Sequence, residues 1–157
     1  GIIVSNSETG ACKLRMSRMY LRGVCCNRML WGVEGLQQVE ILHNVNAPER
    51  FAEDALPSLE VYAGLDPSLL VKGVAAAKAM ITARTADDQI EFLQGLGFSK
   101  AMSASIITTS EQQEGCKPRS VWDFAQAITA QAQACNHADA RFEMEGIAGK
   151  LLDRVNE

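Results

Sequence analysis

From residue 47 onward the chain is punctuated by residues that start helices, and this constrains its fold more than any other feature. Asp66 precedes Pro67 as an N-cap precedes a proline at the first helical position. Thr85, Ser99 and Ser120 each stand before a run that a helix can occupy. Leu69, Leu70, Val74 and Ala77 predict a helix over 67–81. Behind Thr85, residues Ile90, Phe92, Leu93 and Leu96 fill apolar positions, and Asp87 and Asp88 suit the positive helix end. Gly97 with Phe98 reads as a glycine stop and a hydrophobic contact beyond it. Ser99 predicts a short helix toward Thr108, with 111–118 as a polar loop. After Ser120, a stripe of Val121, Phe124, Ala125, Ile128 and Ala132 predicts a helix ending near Asn136. Phe142, Met144, Ile147, Leu151 and Leu152 mark a last helix over 139–154. An earlier helical segment begins at Ala47, where Pro48 suits a first turn and Pro57 breaks or kinks the helix.

The first third has a different pattern. Residues 2–6 are largely apolar, Ser7-Glu8-Thr9-Gly10 is a turn cluster, and 11–17 alternates. There Cys12, Leu14 and Met16 share one face, with Lys13, Arg15 and Ser17 on the other. Alternation on both sides of a glycine-containing turn is a hairpin signature. Residues 39–45 alternate again, while 20–31 fits either strand or helix. Strands first and helices after predict an α+β fold, an N-terminal antiparallel β hairpin or sheet leading into a bundle of about five helices. On this reading 1–46 is a β region and 47–157 a helical region packed on it as one domain. The opening Gly1-Ile2-Ile3-Val4 reads as a strand without a polar lead-in, which predicts that 1–46 continues a missing N-terminal portion.

At 157 residues the chain is long enough to bury a core without staples. No stretch approaches the roughly 18 apolar residues of a membrane span, and the first residues lack the basic-then-apolar pattern of a signal peptide. The five cysteines include the adjacent Cys25 and Cys26, which does not look like a disulfide framework. Reduced thiols and a cytoplasmic location are the simpler expectation.

Local charge is the most informative chemical feature. The net charge is −4, yet residues 9–33 hold five basic residues and no acidic one. These are Lys13, Arg15, Arg18, Arg22 and Arg28, with Tyr20 and Trp31 inside the same stretch. Cations for phosphate plus rings for stacking are what single-stranded nucleic-acid binding requires. A solvated strand face, or a surface pairing with the acidic remainder, fits the same residues. Single- or double-stranded DNA is the partner this stretch predicts.

Other chemistry finds weaker anchors. Cys25 and Cys26 point to opposite faces of a strand, and Cys135 with His137 is poorly spaced, so no metal site is expected. Neither a P-loop nor a dinucleotide glycine pattern occurs, so no cofactor is expected. Cys26 with His43 makes a nucleophile and base only where the fold joins them.

The stretches VSNSETGACKLRMSRMYLRGVCCNRMLWG and ILHNVNAPERF resemble the phage- and plasmid-associated domain of unknown function 932. The family pattern falls on Ser7, Glu8, Gly10, Arg22, Cys26, Asn27 and His43. SVWDFAQAITAQAQ and EGIAGKLLDRV resemble its C-terminal helices. One departure is Arg28, where the family often has glycine. The resemblance implies a mobile-element protein and supplies no established activity. It leaves three readings. One is a nucleic-acid-binding accessory factor in DNA maintenance or recombination. Another is an enzyme whose polar site is Glu8, Arg22, Cys26, Asn27 and His43, with Ser7 beside it. A protein–protein interaction module is the third.

Overall fold

The structure is a computed structural model. It describes residues 46–57, 60, 64 and 67–156, together with the backbone of 2–5, 14–18, 20–21, 28–29 and 39–41. Its described body is built from helices: α1 (Ala47–Arg50), α2 (Pro67–Ala79), α3 (Ala86–Gly95), α4 (Lys100–Glu114), α5 (Val121–Gln133) and α6 (Ala138–Asp153). A π-helical turn, Phe51–Ala55, continues α1, and a 3-10 turn, Arg154–Asn156, closes α6.

The helix starts obey the punctuation. Thr85 accepts a hydrogen bond from the Asp88 N–H, Ser99 from the Met102 N–H and Ser120 from the Asp123 N–H, each with its own backbone extended. The α3 stop is a Schellman motif. Phe98 N–H donates to Leu93 O and Gly97 N–H to Gln94 O, while Gly97 takes φ +99°, which only glycine adopts freely. Phe98 then packs against the core.

Two boundaries differ from expectation for identifiable reasons. α4 continues past Thr108 to Glu114, so Glu111 is helical rather than part of a loop. Polar residues do not by themselves stop a helix. The stop comes from Gly115 at φ +72°, whose N–H donates to Glu111 O. α2 ends at Ala79 rather than Ile81, because the backbone leaves the helix there to pair with the start of α5. Ile81 bridges Ser120 in antiparallel fashion, and Val121 N–H donates to Met80 O at 3.0 Å.

α5 is the centre of the packing. It lies against α6, α4 and α2, while α3 packs on α4. The expected stripe of Val121, Phe124, Ala125, Ile128 and Ala132 is buried, and so are Trp122, Ala127 and Ala130 on other faces. A helix apolar almost all round is one enclosed by neighbours. Leu93, Ile106, Met144, Ala148, Leu151 and Leu152 complete the core from α3, α4 and α6. The Phe92 and Phe124 rings sit 4.5 Å apart between centroids, tilted by 44°.

The expected α+β class is corrected. The described, packed body is helical, and every buried residue it contains belongs to the helices or their connections. Before residue 46 only short extended backbone stretches are described. Ile2–Ser5 runs antiparallel to Leu14–Arg18, with Ile3 opposite Ser17, and Leu14 lies opposite Ile41. Residues 6–13, which carry the expected hairpin turn, lie outside the described residues. The N-terminal β hairpin is therefore not supported as a layer of the fold. The pattern misled because period-two alternation reports a backbone conformation, whereas fold class depends on which elements share a core.

Phe124 is fully buried at the meeting of α3 and α5. Phe124→Ala is expected to destabilise the chain by about 3–5 kcal/mol, read as a lower urea midpoint by far-ultraviolet circular dichroism. An unchanged midpoint would show that α5 is not the centre of the core.

Candidate functional site

Two helix starts in this chain are built alike. Arg84-Thr85-x-x-Asp88 opens α3 and Arg119-Ser120-x-x-Asp123 opens α5. In the first, Asp88 Oδ2 accepts from the N–H groups of Arg84 (3.1 Å) and Thr85 (2.9 Å), while Asp88 N–H donates to Thr85 Oγ1 (3.1 Å). In the second, Asp123 Oδ2 accepts from Arg119 N–H (3.2 Å) and Ser120 N–H (3.0 Å), while Asp123 N–H donates to Ser120 Oγ (3.2 Å). Both are capping boxes closed by aspartate, and each satisfies backbone donors a helix otherwise leaves unpaired.

The two starts are tied to each other. Thr82 N–H and Ala83 N–H both donate to Arg119 O, at 2.9 and 3.3 Å. With the Ile81–Ser120 bridge, this ladder fixes the residues leading into α3 against those leading into α5.

Between them lies a groove of about 600 Å³. Arg84 and Gln89 line it from the α3 side, Cys116, Lys117 and Arg119 from the connection between α4 and α5, and Glu111 from α4. Arg84 and Arg119 are exposed, and among the described residues neither guanidinium has a hydrogen-bond or ion-pair partner. Lys117 Nζ lies 3.7 Å from Glu111 Oε1, both side chains about half exposed, a pair of little strength in water. Gln89 is only 2% exposed. Its Nε2 donates to Pro118 O at 2.9 Å, and among the described residues its Oε1 has no hydrogen-bond partner. Three cations and two carboxylates, Glu111 and Asp123, thus line the groove, with the unsatisfied Gln89 acceptor buried at its wall.

The Asp88 carboxylate is held ionised by its own helix start. The backbone N–H of Thr85, then that of Arg84, then the Thr85 hydroxyl hold the Asp88 carboxyl below the ordinary aspartate range, with a smaller contribution from the Arg84 charge. Asp88 is directed at its own helix start, and Asp123 makes the same set of bonds.

The residues singled out from sequence fall in the first third of the chain. Arg15 and Arg18 fall on the stretch Leu14–Arg18, with the Arg15 Cα opposite those of Ser5 and Glu40. Tyr20 and Arg28 fall on two short paired stretches, Tyr20 opposite Met29 and Leu21 opposite Arg28. Lys13, Arg22 and Trp31 lie outside the described residues, as do Ser7, Glu8, Cys26, Asn27 and His43. Sequence reasoning missed the groove residues, although the twice-used Arg-(Thr/Ser)-x-x-Asp spacing is present in the sequence. Among the described residues no group of His, Cys, Asp and Glu side chains is placed to hold a metal ion, and no helix is long and apolar enough to cross a membrane.

Comparison with known proteins adds no further guide: no family model, curated protein or solved structure matches the chain.

The caps carry their own consequences. Thr85→Ala is expected to cost about 1 kcal/mol, read from the urea midpoint. Because the Asp88 pKa is lowered on folding, its stabilisation is fully present above the ordinary value of 3.8 and is lost as pH falls through the lower folded value. The stability gap between the native chain and Asp88→Asn should therefore close on acidification. A gap constant from neutral pH down to strongly acidic pH would sink this assignment.

Proposed function

We propose that this chain is a nucleic-acid-binding accessory protein of a mobile element, acting in DNA maintenance or recombination. The observation that carries the reading is the charge distribution: five basic residues and no acidic one over 9–33, in a chain of net charge −4. Such segregation concentrates cations where a polyanion is met, while the acidic remainder limits indiscriminate coating.

Within that stretch Lys13, Arg15, Arg18, Arg22 and Arg28 are the phosphate contacts, and Tyr20 and Trp31 the stacking platforms. The mobile-element setting comes from the resemblance to the phage- and plasmid-associated family alone, which names no activity, so the charge pattern carries the binding argument.

A fluorescent single-stranded oligonucleotide titrated at low and moderate salt tests this. Binding should weaken by at least about tenfold from about 50 to about 200 mM salt, as expected when several phosphates are neutralised. The double variant Arg15→Glu/Arg22→Glu should abolish it. Unchanged affinity in that variant would remove the basic stretch as the binding surface.

A further inference from the structure

The groove between the two capped helix starts has a composition that points to a ligand independent of the basic N-terminal stretch. We propose that it binds a phosphomonoester carrying a nearby hydroxyl or amino donor, with Arg84, Arg119 and Lys117 holding the phosphate and Gln89 receiving the donor.

The first support is the state of the two arginines. Each directly precedes an N-cap residue, each has its own N–H bonded to the capping aspartate, and neither side chain is bonded or paired among the described residues. An exposed arginine whose fork is open is available to take an external oxyanion. The ladder from Thr82 and Ala83 to Arg119 O holds the backbone just before Arg84 against that of Arg119.

The second support is Gln89, which lines the same groove while only 2% exposed. The Pro118 carbonyl takes its Nε2–H, which fixes the amide so that Oε1 remains the acceptor. A buried acceptor without a partner is costly, and native proteins rarely leave one. A fully ionised phosphoryl group cannot satisfy it; a hydroxyl or amino group can. The two observations together select a ligand that is anionic at one end and a donor at the other.

Size and charge agree. About 600 Å³ falls in the range of small-molecule sites. Glu111 and Asp123 also line the groove, but Asp123 Oδ2 accepts two backbone N–H groups and Glu111 holds Lys117 only at 3.7 Å. A phosphate dianion competes for that lysine with the greater charge.

The test is calorimetric titration of the whole chain with inorganic phosphate, adenosine 5′-monophosphate and adenosine. The monophosphate should bind more tightly than inorganic phosphate, and adenosine should not bind detectably. Arg84→Gln and Arg119→Gln should each weaken monophosphate binding by about tenfold or more, as for loss of a charged hydrogen bond. Both positions are exposed, so these variants are expected to fold. Gln89→Met should remove the preference for the monophosphate over inorganic phosphate while leaving phosphate binding in place. No saturable binding of either phosphate, or arginine variants that bind as the native chain does, would overturn the proposal. Arg15→Glu/Arg22→Glu should leave the titration unchanged, so failure of oligonucleotide binding alone would fell the nucleic-acid reading and spare this one. A 5′-phosphorylated oligonucleotide that displaces the monophosphate, where its 5′-hydroxyl counterpart does not, would identify the ligand as a nucleic-acid end. Displacement by neither would make it a free small molecule.

Discussion

Burial of α5 on nearly every side is the constraint on which the rest of the structure depends. A helix enclosed by α2, α4 and α6 needs small residues where the neighbours approach and large ones where they recede. Ala125, Ala127, Ala130 and Ala132 supply the first, Phe124 and Ile128 the second. Its buried polar members, Gln126 and Thr129, sit among the apolar ones. The Thr129 hydroxyl donates toward Ala125 O and Gln126 O at 3.0 Å each. Gln131 Oε1 accepts from Thr109 and Ser105 of α4, so even the seam between those helices is a bonded one.

Because α5 is central, its starting point is a fixed point, and the groove is organised around it. Its first turn is capped by Ser120 and Asp123, and its lead-in backbone is paired with the segment after α2. Anything attached to that start inherits its rigidity. Lys78 illustrates the same dependence from α2, its Nζ 5.6 Å from the centre of the Trp122 ring. Pre-organisation of this kind lowers the entropy lost when a ligand is held, which is why a short connection on a rigid scaffold makes an effective site.

The helices were legible because their determinants are local. Thr85, Ser99 and Ser120 cap helices through bonds within four residues, and Gly97 stops one through its own conformational freedom. Long-range determinants were not legible. Burial of Gln89 depends on Pro118, twenty-nine positions away, and no window around Gln89 announces it. Glu145 pairs with Arg141 at visible i,i+4 spacing, yet its near-complete burial comes from packing that the spacing does not encode. The pairing of 81–83 with 119–121 is likewise a long-range event, and it decided where α2 ended. Fold class failed for the related reason that alternation in 11–17 describes a stretch and not the core it joins. The groove stayed hidden because Arg84 is far in sequence from Lys117 and Arg119, whereas the cations of 9–33 are close enough together to count.

The connection between α4 and α5 is fastened through its main chain. The Ser110 hydroxyl bonds the Cys116 carbonyl, the Gln89 amide bonds the Pro118 carbonyl, and Thr82 and Ala83 bond the Arg119 carbonyl. All three anchors are main-chain oxygens, which every amino acid possesses. The path of this loop is therefore insulated from the identity of the exposed side chains at 116, 117 and 119. Substitution at those positions leaves the main-chain bonds beneath them in place. The surface chemistry of this loop and its path are thus set by different atoms.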